Sequence, residues 1–192
     1  MITKLLLGTT GLALSATLAF AASGTTGARP DMDRKDFQVI KDVATTVERY
    51  SHFSIFDDVN AYVKDGVVTL TGKVTMPYKR GDLTRRVARV DGVQQVNDRL
   101  SVLPVSLFDN ELRLRIARAI YGNPNFWNYA IQQNPPIHIV VEHGHVALRG
   151  VVISEVDRAV ANSLAHQFGV MSVTNDLKTE VEVRDSGELP TR

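Results

Sequence analysis

The chain has no cysteine among its 192 residues. That excludes disulfide staples, thiol nucleophiles, thiolate metal sites and lipid attachment through an N-terminal cysteine. Nor is there an excess of charge of either sign. The 22 Lys and Arg stand against 21 Asp and Glu. Removal of the first 21 residues takes away Lys4 and no acid, leaving 21 of each. General nucleic-acid binding rests on a basic excess, so it is not expected. Catalytic signatures are missing as well: no Gly-x-Ser-x-Gly, no His-Glu-x-x-His, no phosphate-binding loop and no convincing acid–base pair. No catalytic residue and no cofactor is therefore expected. At 44% hydrophobic and 22% charged residues, the chain is ordinary globular material, enough for one or two small domains.

One long uncharged run exists, Leu5 to Ala22, behind Met-Ile-Thr-Lys. Ala19-Phe-Ala21 places small residues at the two positions a signal peptidase reads. The expectation is a secretory signal peptide over residues 1–21, cleaved after Ala21, and hence an exported protein. Eighteen uncharged residues could also just span a bilayer, so a retained anchor is the competing reading. Residues 22–34 read as a flexible lead-in.

What the sequence does contain is a duplication. Asp65-Gly-Val-Val-Thr-Leu-Thr-Gly-Lys-Val74 reads as a strand entered through an Asp-Gly turn, with Val68, Leu70, Gly72 and Val74 on one face. His143-Gly-His-Val-Ala-Leu-Arg-Gly-Val-Val152 matches it at five of ten positions, 78 residues later. Gly169-Val-Met-Ser-Val-Thr-Asn-Asp-Leu177 answers Gly92-Val-Gln-Gln-Val-Asn-Asp-Arg-Leu100 with four identities in nine. Around these lie helical patterns. Asp36 opens one with Val39, Val43 and Val47, and Asp109 opens another with Leu112, Ile116 and Ile120, each Asp read as the cap. Pro77 starts a helix with Leu83, Val87 and Val90 inward, and Ser154 starts one with Val156, Val160 and Leu164 inward. Each copy thus reads helix–strand–strand–helix–strand, over 35–103 and 109–183, with a link at 104–108 and a disordered tail at 184–192. The fold class is α+β: two tandem αββαβ units, each a small three-stranded mixed sheet packed by two helices. Units of this size have little core to spare, so the copies are expected to pack on one another. Gly72 and Gly150 are expected to face inward where a helix crosses closely.

The frame formed by Gly66, Val68, Leu70, Gly72, Gly92, Val93, Val96 and Leu100 resembles the BON domain. It recurs at Gly144, Val146, Leu148, Gly150, Gly169, Val170, Val173 and Leu177. Two such units behind a signal peptide resemble the OsmY-like periplasmic proteins. The resemblance implies an envelope location, no catalysis, and attachment to phospholipid membranes, often under osmotic or envelope stress. These motif positions are turn and core residues, so the motif itself marks no binding site.

Three clusters remain as candidates. The Pro77 helix carries Lys79, Arg80, Arg85, Arg86 and Arg89, read as pointing outward to attract anionic head groups, or else as a solvated face. Phe126, Trp127 and Tyr129 lie in a five-residue insertion of the second copy, read as an interfacial anchor or partner contact, or else as a cover for the core. His138, His143 and His145 could be imagined as zinc ligands, but exposed turn histidines are the expectation, with no metal. Two functions follow: a peripheral module on an anionic phospholipid surface, or a docking module for an envelope protein that uses a sheet edge or the Phe-Trp insertion.

Overall fold

The computed structural model describes residues 34–186. The signal-peptide reading, the lead-in up to residue 33 and the last six residues of the tail lie outside the described residues; Arg34 already opens a helix, and the first three residues of the expected disordered tail, 184–186, instead end one. In chain order the elements are α1 (Arg34–Glu48), β1 (Asp58–Lys64), β2 (Val67–Val74), α2 (Pro77–Val87) and β3 (Gln95–Val102). The second copy follows with α3 (Leu107–Tyr121), a 3₁₀ turn (Pro124–Phe126), α4 (Trp127–Ala130), β4 (Ile137–Glu142), β5 (His145–Val152), α5 (Glu155–Ala165), β6 (Ser172–Asn175), β7 (Lys178–Thr179) and α6 (Glu180–Ser186). In each copy the first two strands form an antiparallel hairpin and the third joins it in parallel. The fold is therefore the expected α+β pair of αββαβ units with mixed sheets. In the second copy the third strand is broken in two, β6 and β7, both alongside β5.

Alternation fixes the faces. In β2, Val68, Leu70 and Val74 are buried against Val39, Val43 and Val47 of α1 and Leu83 and Val87 of α2. In β5, Val146, Leu148 and Val152 meet Leu112, Ile116 and Ile120 of α3 and Ala161 and Ala165 of α5. The inward face of α5 thus runs through Asp157, Ala161 and Ala165, and Val156, expected inside, stands at the surface.

Asp36 and Asp109 do something other than cap. The cap of α3 is Ser106, whose side chain accepts from the Asp109 amide. The Asp109 carboxylate, fully buried, accepts from the amides of His143 (2.9 Å) and Gly144 (2.8 Å). Asp36 does the same for Asp65 (2.8 Å) and Gly66 (3.0 Å). Both turns sit at positive φ, through Asp65 and Gly66 and through His143 and Gly144. A carboxylate in the first turn of each helix therefore fixes the hairpin turn of its own copy. Burial pushes the Asp109 carboxyl up, but the two amides, the Ser106 hydroxyl and the Arg113 charge outweigh it and hold the group below the usual carboxylate range. A folded value below the unfolded one stabilises the second copy above the unfolded value, near pH 4, and that stability is lost as pH falls through the folded value. Asp109→Asn is expected to lower the urea midpoint at pH 7 and to flatten its decline between pH 7 and 3. An unchanged acid decline would remove Asp109 from that account.

The copies share a seam. β4 is buried along both faces, from Ile137 to Val141. Its inner face lines the second core, and its outer edge is covered by the first copy. The Ile139 amide donates to the Ile55 carbonyl (2.7 Å), and Ile55 and Phe56 pack on the second core. Phe53 lies against His138 with ring centroids 5.3 Å apart. Asn134 donates to the Glu48 carbonyl (2.7 Å). Two ion pairs cross as well, Lys73 with Glu142, and Arg149 with Asp58 (3.3 Å), Arg149 also reaching Asp176. The expected packing of one copy on the other is present.

Candidate functional site

The basic helix α2 does not present all its cations to solvent. Lys79, Leu83 and Val87 recur at spacing four, and that shared face is the buried one. Lys79, expected to point outward, is instead 6% exposed, its ammonium bonded to the Asp57 carboxylate (2.7 Å) and the Thr75 hydroxyl (2.7 Å). Asp57, wholly buried, also accepts from the amides and hydroxyls of Ser54 and Thr75. The remaining cations are outside but only partly free. Arg80 pairs with Asp98 (2.8 Å), and Arg85 pairs with Asp82. Arg86 lies over the Tyr50 ring at 5.0 Å, whose hydroxyl donates to Asp82 (2.9 Å). Burial and that hydrogen bond push the Tyr50 hydroxyl up to about 12. Asp82, Arg85, Arg86 and Arg89 line a depression of about 250 Å³. Three guanidinium groups around one hollow can offer forked donors to a phosphate.

The insertion separates its aromatics. Phe126 is fully buried in the second core, and Tyr129 is buried beside it with ring centroids 5.6 Å apart. Neither is available as an anchor; only Trp127 is exposed, at 67%. The reason lies in the polar end of Tyr129. Its hydroxyl accepts from the Ile153 amide (2.7 Å) and donates to Asp157 (2.8 Å). At the hairpin spacing of 78, Ile153 corresponds to Thr75 and Asp157 to Lys79. The Tyr129 hydroxyl thus occupies the role held in the first copy by Asp57, whose counterpart by spacing is Pro135. The insertion supplies the polar group that this proline cannot.

The histidines also part company. His143 and His145 are exposed at the turn, while His138 is buried at the seam, contrary to the turn reading. Among the described residues, no three His, Asp or Glu side chains are grouped to hold a metal ion.

The frame glycines are explained by strands rather than helices. Gly72 has φ +119°, and a Cβ there would lie 2.2 Å from the Asp58 carbonyl oxygen; Gly150 has φ +110° and would meet the Pro136 oxygen at 1.8 Å. The obstacle is the backbone of the neighbouring strand.

One surface was not singled out by the sequence reading. Leu107 (88% exposed) and Phe108 at the start of α3 stand beside Phe168 (93% exposed) and Met171 in the loop before β6. Phe108 and Met171 come to the same corner: the Phe108 ring overlies Gly169, Met171 lies against Gly144, and the two glycines adjoin. Arg115 braces the loop by donating to the Phe168 carbonyl (2.8 Å). The signal was available in the duplication. The corresponding residues of the first copy, Arg34, Lys35, Asp91 and Gln94, are all polar. Four exchanges to apolar residues at one end of one copy have no role in its core.

A second hollow, about 500 Å³, follows the seam between Asp58, Lys73, Glu142 and Arg149, whose charges pair across it.

Among solved structures, the chain is similar to CdsD, a structural protein of the type III secretion system of Chlamydia trachomatis. That likeness has 13% identity and a TM-score of 0.29, covering 78% of this chain and 97% of that one. The CdsD C-terminal domain gives 12% identity and a TM-score of 0.27, covering 72% and 96%. No curated protein matches. The BON-domain family model matches twice, over residues 35–104 and 109–181. With both copies of the αββαβ frame accounted for, the chain belongs to the BON-domain family as a tandem pair.

Proposed function

We propose that this is a non-enzymatic, exported envelope protein that attaches peripherally to anionic phospholipid surfaces. The observation that carries the reading is the cluster of Leu107, Phe108, Phe168 and Met171. Leu107 and Phe108 in the first turn of α3, with Phe168 and Met171 in the loop before β6, expose apolar surface of the kind that enters the head-group region of a bilayer without crossing it. Among the described residues no helix is long and apolar enough to span a membrane. Arg85, Arg86 and Arg89 add attraction for phosphate-bearing head groups, worth about 1 kcal/mol for each basic residue near the surface.

Flotation with vesicles of anionic or zwitterionic phospholipid tests the two contributions. Arg85, Arg86 and Arg89 replaced together by Gln should lose up to ~3 kcal/mol of binding to anionic vesicles, less at high salt, where surface charges are screened. Phe168→Ser with Met171→Ser should weaken binding at every salt concentration, because full burial of each such side chain is worth roughly 1.5–3 kcal/mol. A wild-type chain that never floats, yet retains an envelope protein that Trp127→Ala releases, would replace the lipid reading with the docking one.

A further inference from the structure

His138 sits where the two copies meet, and nothing in the lipid reading uses it. It projects from the helix-free face of β4, cross-strand from Arg149, beneath the first copy's segment Phe53–Asp57. The side chain is 8% exposed and its Nδ1 has no hydrogen-bond partner. We propose that His138 makes the seam between the two copies an acid-sensitive latch, closed while the imidazole is neutral and released when it takes up a proton.

The charges facing the ring explain why a proton would be poorly received there. From the first copy come Asp57, whose carboxylate is held by Lys79, and Asp58, paired with Arg149. From the second come Arg149 itself, across the strand, and Asp176 beyond it. Asp57 and Asp58 both draw a proton towards the ring, as does the backbone of Ser54 and Asp57. Burial outweighs them, and the imidazole is held below the usual histidine range. The sign follows. A base whose value is depressed in the closed form stabilises that form above its ordinary value, near pH 6.5, and the stability is lost as pH falls through the depressed value. With one proton involved, the ratio of open to closed seam rises by at most about tenfold for each pH unit. Opening would free the Ile139 amide from Ile55 and uncover Ile55 and Phe56, turning a sealed sheet edge into one able to pair with another strand.

The absence of cysteine makes the experiment direct. Gln95→Cys on the first copy and Ser163→Cys on the second, both exposed, accept a pair of spin labels in the otherwise full-length chain. Their distance distribution is measured by pulsed electron paramagnetic resonance from pH 7.5 to 5.0. The expected result is one narrow distribution at pH 7.5, giving way to a longer, broader one as pH falls. With His138→Gln, or His138→Phe should the first fail to fold, the narrow distribution should persist to pH 5.0. Asp58 also has a carboxyl raised by burial, so Asp58→Asn is measured alongside. A wild-type distribution that does not move with pH overturns the proposal. So does opening that survives in both His138 variants, or that vanishes only with Asp58→Asn.

Discussion

Asp57→Ala is expected to cost the first copy about 3–5 kcal/mol, the penalty for stranding a buried charge. The carboxylate accepts from five donors: the amides and hydroxyls of Ser54 and Thr75, and the Lys79 ammonium, all within 2.9 Å. Its removal leaves Lys79 charged and almost without water. A small domain holds only about 5–15 kcal/mol in total, so the loss should be visible as an early urea transition. The double change Asp57→Asn with Lys79→Met should recover part of it, because no uncompensated charge is then left buried. Should Asp57→Ala cost less than about 1 kcal/mol, the ammonium must reach water and the buried pair is not what closes that end of the core.

The second large effect belongs to Gly150. Alanine there would place its Cβ 1.8 Å from the Pro136 carbonyl oxygen, at a φ of +110° that L residues rarely adopt. Backbone strain of about 1–3 kcal/mol adds to overpacking of about 1–3, for roughly 2–6 kcal/mol in all. Since the obstacle is main chain, it cannot rotate away, and valine should be no better tolerated than alanine. Gly81 on α2 is the internal control. Its added Cβ would meet only the end of the Arg85 side chain at 3.4 Å, so Gly81→Ala should be stabilising by about 0.4–1 kcal/mol. Equal denaturation midpoints for wild type and Gly150→Ala would mean that β4 and β5 separate at Gly150 without penalty.

The fold was legible because its determinants are local and repeated. Period-two alternation in Val67–Val74 and His145–Val152, apolar residues at spacing four in α1 and α3, and two turns at positive φ each speak within ten residues. The site was less so, for reasons of distance. Lys79 has the spacing of a core residue on α2, but its burial makes sense only once Asp57, 22 residues earlier, is known to point at it. Composition alone recommends the bland alternative, a lysine in water. Phe126 and Tyr129 read as an anchor because the polar hole they fill is created by Pro135 and Ile153, neither of them remarkable in the sequence. The apolar surface was readable in principle. It required comparing what the copies do not share, whereas attention to a repeat naturally rests on what they do.

The Tyr129 hydroxyl and the Asp57 carboxylate are two answers to one demand, a main-chain amide at the end of the hairpin that needs an acceptor. Of the buried pair in the first copy, loss of the acid strands the ammonium, whereas loss of the lysine leaves the carboxylate its four amide and hydroxyl donors. A neutral hydroxyl that meets this amide from the inserted segment can sit opposite an acid, as it does at Asp157, without leaving a charge unpaired. Without the insertion, the second copy would need another acceptor for the Ile153 amide, because Pro135 offers none at the place where the first copy has Asp57.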